Sequence, residues 1–223
     1  MRGSPPGWPP GVWPPVADRL HLANPARPDP AVVRRTAEEL RAGRLVLAPS
    51  DTVYGFLGLM SHPGALEALA ARKGRTTGFI ALVATQDQVA RLSPGDFPGR
   101  RDKLARVWPG PVTVVLPAAS GTPGAREGGI ALRMPRHPFL EAVLAEVGEP
   151  LFSTSANPPG ESPARSADEV EEAFSDQSCL LIDGGTATGR PTTVVDLTQT
   201  EPRILRMGDI DPGPLLDPPS VTP

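Results

Sequence analysis

The chain has 223 residues, of which 39% are hydrophobic and 21% charged, with a net charge of −3. That is an ordinary soluble globular profile, long enough to bury a sizeable core, and the charge argues against a protein that coats nucleic acid non-specifically while leaving room for a local basic face. No run approaches the roughly 18 apolar residues of a membrane span, no basic-then-apolar leader is visible, and the single cysteine, Cys179, leaves neither an internal disulfide nor a cysteine-based metal site. The expected location is the cytoplasm.

Prolines crowd both ends. Residues 1–28, which carry Trp8 and Trp13 in "GWPPGVWPP", read as a flexible arm, and residues 212–223 as a tail, so the domain is expected over 29–211. Asp29 as N-cap and Pro30 at the first helical position open a helix with Val32, Val33, Thr36, Ala37 and Leu40 on one face, stopped by Gly43. "RLVLAP" is then a short strand. "HPGALEALAARKG" is a second helix with Leu66 and Leu69 inward, "FIALVA" a strand, and "RDKLARVW" a helix. "VTVVLPA" and "GIALRMP" are strands, "PFLEAVLAEVG" a helix, "PLFSTSA" a strand and "ADEVEEAF" a helix. "CLLIDGG", "TTVVDLT" and "RILRMG" complete a β-rich end. Short continuous apolar strands alternating with amphipathic helices predict an α/β sheet covered by helices.

In such sheets ligands gather where strands end. Four polar clusters fall at predicted strand ends: Ser50-Asp51-Thr52-Val53-Tyr54-Gly55, Arg133-Met134-Pro135-Arg136-His137, Ser153-Thr154-Ser155-Ala156-Asn157, and Thr192-Thr193. Hydroxyls and amides offer donors and acceptors without a fixed charge, which suits a zwitterion or a phosphate. Singly each cluster reads equally well as a capped turn. Lys73 and Arg75 close a helix in a chain whose 22 basic residues include only two lysines, Lys73 and Lys103. They fit either dipole compensation or a phosphate clamp, the lysine as a point charge and the arginine as a fork. His21, His62 and His137 have no metal-ligand spacing, and neither GxxxxGK[ST], GxGxxG nor GxSxG occurs.

"SDTVYGF", "KGR", "WPGPVTVVLP", "IALRMPRHP", "STSAN" and "TTVVDLT" with "ILRMG" follow one another in an order and spacing that resembles the YrdC-like family of L-threonylcarbamoyladenylate synthases, over about residues 30 to 210. The resemblance implies a twisted, mixed α/β sheet with flanking helices around a deep concave cavity. It also implies a reaction: L-threonine, bicarbonate and ATP, with Mg²⁺ accompanying the nucleotide, give threonylcarbamoyl-AMP and pyrophosphate. A downstream threonylcarbamoyl transferase then modifies the tRNA adenosine next to the anticodon. Carried over by motif, Thr52, Arg133 and Ser153 would contact threonine. Lys73 and Arg75 would face the triphosphate as the catalytic cations. Thr113, Ser155, Asn157, Thr193 and Arg206 would line the nucleotide side. No metal ligands and no membrane contact are implied.

The chain departs from the family pattern at Ser50, where threonine is common, at Pro159 in "SANPPG", and after Arg75, where Thr76-Thr77-Gly78 stand in a shortened loop. Two other readings stay open from the residues. One is a non-catalytic tRNA-, double-stranded-RNA- or nucleotide-binding protein of the same fold, using Arg72, Lys73, Arg75, Arg100, Arg101, Lys103 and Arg106 on phosphates. The other is different carbamoyl-adenylate chemistry.

Overall fold

The computed structural model describes residues 18–95, 100–158, 160–174, 179–199 and 201–216. Trp8 and Trp13 lie outside them, as does most of the C-terminal tail. The part of the arm that is described does not stand apart from the domain. Arg19–His21 form strand β1, parallel to a later strand at one edge of the sheet. Arg19 fixes it there, pairing with Asp183 at 2.7 Å and with Asp168 and Glu171 at 2.8 Å each.

Helix α1, Pro30–Arg41, starts as the residues predict: the Asp29 side chain accepts from Ala31 N, and Val33, Thr36, Ala37 and Leu40 are buried along one face. Strand β2 is Val46–Ala48 and β3 is Gly55–Leu59. The second of these was not predicted; its two glycines, in "GFLGL", weaken the strand pattern. Packing explains them: a Cβ on Gly58 would come within 2.9 Å of Leu45 Cδ2, and one on Gly55 within 2.9 Å of the Thr154 carbonyl oxygen. Helix α2 is Pro63–Lys73 and ends on Gly74 at φ 64°, a left-handed cap that favours glycine.

Strand β4, Ile80–Leu82, is followed by α3, Gln86–Leu92, an element the sequence reading passed over, and by α4, Arg100–Val107. Strands β5, Val112–Pro117, and β6, Gly129–Arg133, form an antiparallel pair. Helix α5, Pro138–Val147, leads to β7, Leu151–Ser155, then α6, Ala167–Ala173, β8, Leu180–Asp183, β9, Thr193–Asp196, β10, Arg203–Arg206, and a short α7, Gly213–Leu216.

All ten strands join one mixed sheet in the order β1-β8-β2-β3-β7-β4-β6-β5-β9-β10. Side chains alternate between its faces. Phe56, Ala81, Leu132, Val114, Phe152 and Val195 point to one side and form a core with Leu69 of α2, Leu104 of α4 and Val170 of α6. Leu57, Leu59, Leu82 and Leu151 point to the other, where α1 and α5 pack on each other and on the sheet. That helix pair covers only the part of its face around β2, β3 and the adjoining strands. The rest of the face, across β7, β4, β6, β5 and β9, stays open and concave. Helix α4, with Arg101 and Arg106, lies over the opposite side. Among the described residues no helix is long and apolar enough to cross a membrane.

Candidate active site

The open part of that face is the floor of a cavity of about 940 Å³, within the size range of small-molecule sites. Its floor follows from strand alternation and register. Leu57, Ser153, Ile80, Ala131, Val115 and Asp196 are consecutive cross-strand partners on β3, β7, β4, β6, β5 and β9, and all six line the cavity. The polar clusters therefore meet across a sheet face, and not only at strand ends as the sequence reading placed them. Five arginines line the cavity (Arg75, Arg126, Arg133, Arg203, Arg206) against three carboxylates (Glu127, Glu161, Asp196), so its field favours an anion.

Arg133 is the deepest of these cations, only 4% exposed. Its Nε donates to Gly110 O at 3.2 Å, its Nη1 to Thr52 Oγ1 at 3.3 Å, and its Nη2 to Asp51 Oδ1. Burial lowers the guanidinium's proton affinity, and the Asp51 carboxylate opposes that effect. Asp51 itself is absent from the cavity lining and grips Arg133 from behind. The turn that brings Thr52 here is built by Ser50, whose Oγ donates to Val53 O at 2.7 Å and accepts from Thr52 N and Val53 N, both at 3.2 Å. A hydroxyl at this position closes the turn, so the serine that departs from the family pattern keeps its chemistry. Thr188 Oγ1 and Gly189 N bond to the Thr52 carbonyl at 3.1 and 2.8 Å, strapping the β8–β9 connection over the same turn.

Ser153, Ser155 and Asn157 line the cavity along β7 and just beyond it. Lys73 is not a lining residue. Its Nζ donates to Ser155 O at 3.1 Å, Asn157 O at 2.9 Å and Asn157 Oδ1 at 3.0 Å, so all three of its protons serve the turn that presents those residues. Burial, and secondarily the nearby Arg75 charge, push the Lys73 ammonium below the usual lysine range. Arg75 does line the cavity; its Nη1 bonds the Thr77 and Gly78 carbonyls at 2.7 Å each, and its guanidinium lies 4.9 Å from the Phe79 ring centroid.

Thr113 and Thr192 face each other on the far wall, their hydroxyl oxygens 2.9 Å apart. Arg206 is anchored beside them through Thr192, Nε to its carbonyl and Nη2 to its hydroxyl, both at 3.0 Å. Thr193 does not reach the cavity. Alternation along β9 sends Val194 and Asp196 to the cavity, and Thr193 and Val195 to the opposite, fully buried side. Its hydroxyl donates to Ile210 O at 2.6 Å and accepts from Gly208 N at 2.9 Å, pinning the segment after β10. Thr193→Val is accordingly expected to cost about 1–3 kcal/mol of stability, read as a lower denaturant midpoint, while ligand affinity of the folded protein stays within about twofold.

His137 stands at the start of α5 with its Nδ1 buried and unbonded. Burial pushes its proton affinity below the ordinary histidine value, Arg133 pushes the same way, and Asp51 opposes both. The unfolded chain therefore takes up this proton first. The stability contribution of neutral His137 is present above the unfolded value of 6.5 and is lost as pH falls through the lower folded value. Subtracting the pH–stability profile of His137→Asn from that of the wild type should isolate a loss beginning near pH 6.5; parallel profiles would contradict it.

Arg126, Arg203 and Asp196 line this site though the sequence did not single them out, and Asp51 and Thr192, which stood in the polar clusters, were given no role of their own. Alternation was the available signal for Asp196, because in Val194-Val195-Asp196-Leu197 it shares a face with Val194, opposite the buried Val195 and Leu197. Among the described residues no group of three or more metal-ligating side chains gathers.

A family model described as "Sua5_yciO_yrdC: Telomere recombination" matches residues 38–208. The chain is 36% identical over 173 residues to a threonylcarbamoyl-AMP synthase of Alkalilimnicola ehrlichii, covering 74% of this chain and 90% of that protein. It is 35% identical over 185 residues to the threonylcarbamoyl-AMP synthase of Pyrococcus abyssi, covering 80% of this chain but only 54% of that longer relative. A crystal structure of P. abyssi Sua5 complexed with L-threonine superposes with a TM-score of 0.78 at 31% identity, over 86% of this chain and 58% of that one. The match over residues 38–208, together with relatives of this identity, shows that the chain belongs to the Sua5/YciO/YrdC family.

Proposed function

We propose that this chain is a nucleotidyltransferase that makes threonylcarbamoyl-AMP and pyrophosphate from L-threonine, bicarbonate and MgATP. The observation that carries this reading is the buried Arg133–Thr52 pair, opening into a cavity whose other end is lined by Arg75, Ser155 and Asn157. A buried guanidinium beside a hydroxyl suits the carboxylate of an amino acid, and Ser153 adds a hydroxyl on the floor. The cations at the other end suit a triphosphate. L-threonine in the P. abyssi relative supports the first half of this assignment, and the synthase names of the relatives support the second.

In this mechanism the threonine amine combines with bicarbonate, losing water, to give an N-carboxylate. One carboxylate oxygen attacks the α-phosphorus of ATP, a new P–O bond forms, the bond to the β-phosphate bridge breaks, and pyrophosphate leaves. The protein's contribution is positioning and charge stabilisation. Arg133 and Thr52 fix the amino acid. Arg75 and Arg206 offset the developing phosphate charge, and Lys73 holds the Ser155–Asn157 turn in place. Mg²⁺ would enter with the nucleotide as MgATP and would supply further charge neutralisation at the phosphates.

The product is an activated mixed anhydride, to be consumed by a transferase that moves the threonylcarbamoyl group to a tRNA adenosine. We place this chemistry in the cytoplasm. The reading is tested by pyrophosphate release from ATP. Release that requires both L-threonine and bicarbonate is the expected result, and release indifferent to either would overturn it.

A further inference from the structure

Tyr54 stands two residues after Thr52 and is fully buried, behind the cavity wall and not part of its lining. Its ring belongs to the core on the α2 side of the sheet. Its hydroxyl donates to Gly185 O at 2.7 Å and accepts from Gly184 N at 3.1 Å. Burial pushes the phenol pKa up, so the hydroxyl keeps the proton it donates. A phenylalanine would fill the same core space, so the oxygen serves these two bonds.

Gly184 and Gly185 open the β8–β9 connection, and other contacts hold them where the phenol meets them. Gly185 N donates to Asp183 Oδ1 at 3.0 Å, while Oδ2 of the same carboxylate takes Arg19 Nη2 at 2.7 Å. Gly184 lies so close to Pro49 that a Cβ would come within 2.7 Å of the proline Cγ. At Gly185 φ is 81°, a left-handed turn that glycine makes without strain. From there the connection runs back over the Thr52 turn. Ala187 N donates to Arg165 O at 2.8 Å, and Thr188 Oγ1 and Gly189 N then reach the Thr52 carbonyl. The connection therefore starts on the side chain of Tyr54 and returns to the backbone of Thr52.

The backbone of Tyr54 reaches the other wall. Its N–H donates to Ala164 O at 3.0 Å, and its carbonyl accepts from Ala156 N at 2.8 Å, between Ser155 and Asn157. Tyr54 thus stands where the Thr52 turn, the Ser155–Asn157 turn and the β8–β9 connection meet. Only the last of these depends on its side chain, because the backbone bonds persist with any residue at this position. The hydroxyl therefore acts on Thr52 through the connection and leaves the Ser155–Asn157 turn alone.

We propose that Tyr54 is a positioning residue for amino-acid binding: its hydroxyl latches the β8–β9 connection, and the latched connection holds Thr52 where it and Arg133 receive a carboxylate. The assignment rests on the reading of that end of the cavity as the amino-acid site. Tyr54→Phe keeps the ring in the core and removes the latch. Calorimetric titration of the full chain with L-threonine should show binding weakened about fivefold to tenfold, with ATP affinity at the wild-type value. Thr188→Val, at an exposed position, cuts the other end of the same connection and should weaken threonine to a similar extent. Because the two bonds act in series, the double variant should bind threonine no worse than the weaker single variant. In the ligand-free protein, the Ala187 and Gly189 amides should exchange with solvent about tenfold faster in Tyr54→Phe. A lower melting temperature with threonine affinity unchanged in Tyr54→Phe would overturn the proposal and leave the hydroxyl a purely structural bond. Effects that multiply in the double variant would overturn it as well. Faster amide exchange in Tyr54→Phe, in a protein that binds no threonine even as wild type, would keep the latch and remove the amino-acid reading instead.

Discussion

Arg133→Ala is expected to lower kcat/KM for L-threonine about a hundredfold or more, the loss of two charge-assisted hydrogen bonds to one carboxylate. The same change leaves the Asp51 carboxylate, 14% exposed in its side chain, without its cation. Removing one partner of a buried pair costs about 3–5 kcal/mol, so a lower melting temperature should accompany the kinetic defect. Arg133→Lys separates the two effects. An ammonium can keep Asp51 company and restore much of the stability, but it cannot at once satisfy Gly110 O, Thr52 Oγ1, Asp51 and a ligand carboxylate in the geometry the guanidinium holds. A stable Arg133→Lys enzyme with a KM for threonine still raised at least tenfold is the expected outcome. Recovery of wild-type KM would mean that a point charge is all the site needs, and the proposed fork would be wrong.

Lys73→Met should produce the second large effect, by a different route. Methionine keeps the apolar stem but takes the ammonium away from three acceptors, leaving Ser155 O with only Asn157 N, Asn157 Oδ1 with only Ser155 Oγ, and Asn157 O without its charged donor. The expected cost is about 2–3 kcal/mol of stability, seen as an earlier denaturant midpoint. With its anchor gone, the turn carrying Ser155 and Asn157 loosens. Because those side chains line the nucleotide end of the cavity, KM for ATP should rise about tenfold or more. KM for threonine should change little, since Arg133 and Thr52 are held by other bonds. If Lys73 instead contacts phosphate during the reaction, kcat will fall at saturating ATP with stability nearly intact. The two roles are thus distinguished by which parameter moves.

These two variants also mark where reading residues along the chain succeeds and where it stops. The alternation of apolar strands and amphipathic helices was legible because each period reflects one buried face, and α1 begins and ends where Asp29, Pro30 and Gly43 say it should. β3 was hidden because Gly55 and Gly58 are there for close packing, a contact that exists only once β7 and α2 are in place. Arg133, Thr52, Ser153, Ser155, Asn157, Thr113, Arg75 and Arg206 could be singled out from motifs and do line one cavity. Thr193 could not be told from Thr192 without the parity of β9. The support given by Lys73 and Asp51 is invisible in sequence for a related reason: both act on residues more than 80 positions away, Lys73 on Ser155 and Asn157 and Asp51 on Arg133. Arg203 escaped because its direction is set by its pairing with Asp196, and the register shift after Ile204 breaks the parity that would otherwise set it opposite Arg206.

The central claim is that one cavity joins an amino acid, bicarbonate and a nucleotide. It is tested most directly by incubating the chain with L-threonine, ATP, Mg²⁺ and isotope-labelled bicarbonate and analysing the nucleotide products by mass spectrometry. The account predicts threonylcarbamoyl-AMP carrying the label in its carbamoyl carbon, formed together with pyrophosphate and absent when Arg133 is replaced by alanine. Protein that binds threonine and ATP yet yields no labelled adenylate would contradict it.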